Sequence, residues 1–76
     1  MEALRKYLNS LTTAEQLEFV ARCGSSIGYL RKAISIEQRI GESLAIAIER
    51  ESGRQVTVEE LRPDVDWAVI RNTAAA

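Results

Sequence analysis

The side chains of this 76-residue chain that could do chemistry are its charges, some amides and hydroxyls, and one thiol. Histidine is absent, which removes the usual general base and leaves a zinc site short of ligands. A single cysteine, Cys23, excludes an internal disulfide framework, and with no second ligand beside it Cys23 reads as a buried apolar side chain. Neither a phosphate-cradling glycine loop nor a nucleophile–base pair is available, so no enzyme, metal or cofactor is expected. What remains is charge, and its net value of −1 conceals an asymmetry. Residues 1–40 carry Arg5, Lys6, Arg22, Arg31, Lys32 and Arg39 against Glu2, Glu15, Glu18 and Glu37, a balance of +2. Residues 41–76 carry Arg50, Arg54, Arg62 and Arg71 against Glu42, Glu49, Glu51, Glu59, Glu60, Asp64 and Asp66, a balance of −3. Such a field suits a molecule that turns one face to an anion and keeps the other away from it.

These cations need rigid elements to hold them. Leu4, Tyr7, Leu8 and Leu11 recur at i, i+3, i+4 and i+7, the stripe of an amphipathic helix. Thr12-x-x-Glu15 and Thr13-x-x-Gln16 both fit a capping box, so a second helix starts there, with Leu17, Phe19, Val20, Ala21 and Cys23 as its apolar positions. Gly24 supplies a residue that tolerates the left-handed conformation in which helices stop. Ser25 or Ser26 caps a third helix over about 26–35, whose Ile27, Leu30, Ala33 and Ile34 line one side and Gly28, Arg31, Lys32 and Ser35 another. Residues 36–41 read as a connection, and Leu44, Ala47 and Ile48 mark a fourth helix that Gly53 ends. Thr57-x-x-Glu60 is a third capping box, opening a short helix before Pro63. The segment Arg54–Val58 also alternates with period two, which leaves a strand open there.

With 46% hydrophobic and 28% charged residues, the chain is expected to fold as one small domain over 1–72 with a frayed tail at 73–76. No apolar run is long enough for a membrane span and no signal-like start is present, so a soluble, cytoplasmic, nucleoid-associated protein is expected. The second and third helices, joined by a few residues at Gly24, have the spacing of a helix-turn-helix laid on Gln16–Ser35. Val20 then occupies the position where the helices cross, Gly24 the turn, and Leu30 and Ala33 the inner side of the third helix.

The run Phe19-Val20-Ala21-Arg22-Cys23-Gly24-Ser25-Ser26-Ile27-Gly28-Tyr29-Leu30-Arg31-Lys32-Ala33-Ile34 resembles the helix-turn-helix of small Cro-like phage repressors and of the related YdaS-type prophage regulators. So do Leu44–Gly53, Val56–Asp64 with its Leu61-Arg62-Pro63-Asp64 element, and Trp67, so that the resemblance covers roughly residues 4–70. Val20 stands where a smaller residue is usual, and Ser25 where Val is commoner. The resemblance implies an all-α, five-helix, repressor-like domain. The alternative is α+β, with a hairpin formed by residues of about 40–62. It also implies a sequence-specific regulator that lays its third helix in the major groove of double-stranded operator DNA. Arg31 is then the foremost base reader, a bidentate donor to guanine, and Lys32 serves a base or a phosphate. Ser26 is first a cap and then a polar contact. Gly28 permits close approach to the duplex, Ile27 either staples the helix start or meets a thymine methyl, and Tyr29 reaches a phosphate. Gln16, Gln38 and Arg39 are expected at backbone phosphates. Paired half-sites imply a homodimer on DNA, with the apolar stretch from Val56 to Ile70 as its expected contact surface. In a reading from another class, the acidic C-terminal half binds a protein partner, as in an antitoxin or adaptor.

Overall fold

The computed structural model describes residues 1–69, and these are all-α. They form α1 (Glu2–Asn9), α2 (Thr13–Arg22), α3 (Ile27–Ile36), α4 (Glu42–Glu51) and α5 (Val58–Leu61), followed by a helical turn at 67–69. No strand occurs among the described residues, so the hairpin alternative is set aside. Its period-two segment, 54–58, is instead a turn that runs into α5 at Val58: Arg54 is left-handed at φ 67°, and the Val56 side chain is fully buried. The expected tail at 73–76 lies outside the described residues.

α2, α3 and α5 begin where a side chain supplies a partner for their first N–H groups, whereas α1 and α4 start without a side-chain cap. Thr12 makes the complete capping box: its Oγ1 accepts from the Glu15 N–H at 3.2 Å, and the Glu15 carboxylate accepts from the Thr12 N–H at 2.8 Å. The competing Thr13–Gln16 box does not form, because Thr13 is already the first helical residue. Ser26 Oγ accepts from the Tyr29 N–H at 3.1 Å and opens α3. Thr57 Oγ1 accepts from the Glu60 N–H, while the Glu60 carboxylate takes the Thr57 hydroxyl rather than its amide, so this third box is not reciprocal.

Stops are equally local. At Gly24 (φ 72°) the Ser25 N–H donates to the Val20 carbonyl and the Gly24 N–H to Ala21, at 2.9 and 3.0 Å, which closes the last turn of α2. The same pattern ends α3, but the left-handed residue there is Glu37 (φ 52°), where a side chain costs about 1 kcal/mol. Ile36, expected in the connection, is the last residue of α3.

The core gathers the predicted stripes. Leu4 and Leu8 of α1, Phe19 and Val20 of α2, Leu30 and Ala33 of α3, and Ala45 and Ile48 of α4 are buried together. Tyr7 meets the Phe19 ring edge-on, with centroids 5.0 Å apart. Cys23 belongs to this core as a free thiol, and burial pushes its pKa up to about 11, which makes it a poor nucleophile.

The C-terminal third closes the molecule through Arg62, which is only 7% exposed. Its guanidinium donates to both oxygens of Asp64 at 2.9 and 2.8 Å and to the Ile40 carbonyl at 2.8 Å, and it pairs with Glu42 at 3.1 Å. The Trp67 indole N–H donates to the Arg62 carbonyl at 2.7 Å. A buried guanidinium is tolerated only when its donors are matched in this way. The hydrogen bonds from Arg62 hold the Asp64 carboxyl down at about 2. This closure takes up part of the expected dimer surface, while Ala68 and Val69 of the same stretch are exposed. Val56, Val58, Leu61 and Trp67 are buried within their own chain, and apolar area spent on one core is not available to a second subunit. Ile70, also assigned to that surface, lies outside the described residues.

Candidate nucleic-acid interface

α3 presents a clean division of faces. Leu30 and Ala33 are fully buried against the rest of the domain, and Ile27 and Ile34 pack partly on the same core. One helical half-turn away, Gly28, Tyr29, Lys32, Ser35 and Ile36 are exposed, with Arg31 half-exposed at the edge between the two faces. Ile27 is therefore mainly a staple for the helix start. Lys32 lies opposite Leu30 and Ile34 on the helical wheel, and it has no ion-pair partner among the described residues. A Cβ added at Gly28 would meet nothing within 4 Å. Packing gives no reason for glycine at this helical position, although glycine costs up to about 1 kcal/mol there relative to Ala.

Arg31 does not project freely. Its Nη1 donates to Oδ1 of Asn9, the last residue of α1, at 3.0 Å. Arg31 also borders a shallow groove between α1 and α3, which is lined by Arg5, Arg31, Ile34, Ser35, Ile36 and Glu37. Arg5 is itself held by Glu2 at 2.7 Å, one turn earlier on α1. Two guanidinium groups thus flank one groove beside the exposed face of α3, and a phosphate oxygen could accept from either.

On the other flank, the Tyr29 hydroxyl accepts from Gln38 Nε2 at 3.5 Å. The Tyr29 ring borders a hollow with Cys23, Gly24, Ser25, Ser43 and Leu44. Ser26 spends its oxygen lone pair on the cap and keeps its O–H as a donor.

Two expected phosphate contacts are engaged elsewhere. Gln16 is half-buried, and its Nε2 donates to the Leu8 and Leu11 carbonyls at 2.9 and 3.2 Å, tying α2 to the end of α1. The Leu8 carbonyl lies in the last turn of α1 and the Leu11 carbonyl just beyond it, and an amide from the following helix is within reach of both. Arg39 is exposed but leans on Asp64 at 3.8 Å, toward the acidic C-terminal segment and away from the α3 face. The structure thus brings Ser26, Ile27, Gly28, Tyr29, Arg31 and Lys32 together on α3 and its cap with Gln38 beside them, ties Gln16 to the end of α1, and leaves Arg39 exposed beside Asp64.

Sequence reasoning missed Arg5 and Asn9, and it placed Ser35 on the polar face of α3 without making it a candidate. The i, i+4 spacing of Arg5 and Asn9 on the polar side of an amphipathic helix was the available signal. It says that the two residues share a face, not that this face borders α3. Among the described residues no helix is long and apolar enough to cross a membrane.

In sequence, 62 residues of the chain are 32% identical to a prophage transcriptional regulatory protein of Escherichia coli (strain K12), covering 82% of this chain and 94% of that one. No family model matches the chain, and no solved structure matches it.

Proposed function

The chain belongs to the family of that Escherichia coli prophage transcriptional regulatory protein, and from this premise we propose that it regulates transcription by binding double-stranded operator DNA through α3. The observation that carries the reading is the exposed face of α3. It presents the exposed ammonium of Lys32, a glycine with no packing role and, at its edge, Arg31, on a helix fixed from behind by Leu30 and Ala33. A helix held rigidly on one side and cationic on the other fits the major groove, which is wide enough to admit it. Arg31 reads guanine, and Lys32 and the Ser26 hydroxyl serve bases or phosphates. Tyr29 and Gln38, bonded to each other, reach the backbone on one flank, and Arg5 reaches it on the other. A helix of this length spans only a few base pairs, so the protein acts as a homodimer on paired half-sites and represses by occupying them. The dimer contact lies on a surface other than the buried Val56–Trp67 apolar residues.

The test is fluorescence anisotropy on a duplex enriched from a randomised pool and on a random duplex, over a salt series. The expected result is tighter binding to the enriched duplex and a negative log–log salt slope. Arg31→Ala should remove roughly 1–3 kcal/mol of the preference. Lys32→Ala should weaken binding to both duplexes and flatten the slope. Equal, weak binding to both duplexes by the wild-type protein would overturn the reading and turn attention to a protein partner of the acidic C-terminal half.

A further inference from the structure

We infer that Asn9, a residue of α1 outside the helix-turn-helix, is a positioning residue for sequence reading, because it holds the Arg31 guanidinium in place. The inference rests on the reading of α3 as the DNA-facing helix and names a further residue on which its specificity depends. The hydrogen bond from Arg31 Nη1 to Asn9 Oδ1, at 3.0 Å, joins residues 22 apart in sequence. Arginine has five N–H donors, so one bond to Asn9 leaves the guanidinium able to donate to a guanine edge. A long side chain loses rotamer entropy when it is ordered by a ligand, and one restrained beforehand loses less.

The arrangement around the pair favours orientation over adhesion. Arg5 and Asn9 are i, i+4 neighbours on α1, as Arg31 and Ser35 are on α3, and Arg5, Arg31 and Ser35 border the same groove. α1 and α3 already share the buried apolar cluster that contains Leu4, Leu8, Leu30 and Ala33. A single exposed hydrogen bond adds little to that contact. Its effect falls instead on the direction of the one arginine it touches.

The experiment compares Asn9→Ala and Asn9→Asp with the wild-type protein on the enriched duplex and on a random duplex, with melting curves to confirm folding. Asn9→Ala is expected to lose roughly three- to tenfold of the preference for the enriched duplex, the worth of one ordinary hydrogen bond, while its binding to the random duplex stays within about twofold. Asn9→Asp keeps the acceptor oxygen, so it should retain the preference ratio, although its added negative charge weakens binding to both duplexes. In an Arg31→Ala background Asn9→Ala should have no further effect on preference, a non-additivity that a merely structural role would not produce. Unchanged preference in Asn9→Ala, or a loss that persists undiminished without Arg31, would overturn the inference. If Arg31→Ala abolishes the preference and Asn9→Ala does not, this inference alone fails. If the wild-type protein enriches no duplex, the reading of α3 fails and this inference with it.

Discussion

Arg62 and Arg31 are the same residue type in opposite circumstances. Arg62 is buried, and its guanidinium is spent on Asp64, the Ile40 carbonyl and Glu42. Arg31 is half-exposed and, among the described residues, has a single side-chain hydrogen-bond partner, Asn9. The first links the segment before α4, α4 itself and the chain beyond α5, and its burial keeps it from a ligand. The second keeps most of its donors while its direction is restrained. Burial and the number of partners, not residue identity, separate an arginine that holds the fold from one able to read an anion.

The sharpest way to break this contrast is to exchange the consequences. Arg62→Met leaves the Ile40 carbonyl without its buried donor and removes the bridge to the exposed carboxylates of Asp64 and Glu42, and we expect the melting temperature to fall by roughly 10 °C or more. Arg31→Ala should move it by no more than about 3 °C. Circular dichroism melts of the two variants decide the matter, and equal losses would refute the division of roles.

A smaller effect sharpens the comparison from the other side. Gly28→Ala adds a methyl group into open space and improves helix propensity, so stability should rise by a few tenths to about 1 kcal/mol in a urea melt. Binding to the enriched duplex should weaken all the same, because the methyl group faces the groove. A variant that is more stable and binds as well as the wild type would show that Gly28 has no part in the interface.

The smallest effect is acid dependence. Asp64 titrates at about 2 in the folded protein, below its ordinary 3.8, so its ion pair stabilises fully above that ordinary value and is lost as pH falls through the folded one. Melting temperature followed from pH 5 to 2 should show this loss between about pH 4 and 2, and Arg62→Met should abolish that component. A wild-type curve that falls no more steeply than the variant's would contradict the assignment.

Much of the fold was legible because it is local. The Thr12 capping box, the Ser26 cap, the left-handed Gly24 and the apolar stripes of α1 and α3 are each settled by residues within one or two turns of one another. The strand alternative at 54–58 failed for the opposite reason. Two left-handed residues, Gly53 and Arg54, and the pull of the core on Val56 override a period-two pattern. The α3 stop was harder to read, since Glu37 does there what glycine does at Gly24.

The candidate site divides in the same way. That Gly28, Lys32 and Ser35 lie together on one face of a helix follows from their spacing alone, as does the burial of Leu30 and Ala33. That Arg31 is bonded to Asn9, that Gln16 serves the end of α1, that Arg39 leans on Asp64, and that Val56, Val58, Leu61 and Trp67 are buried in this core were decided by tertiary structure. Helical periodicity specifies which side of an element a residue occupies, because that side depends only on its neighbours in the chain. Which other element meets that side depends on how five short helices share a single small core, and there the partner of a polar side chain lies many residues away.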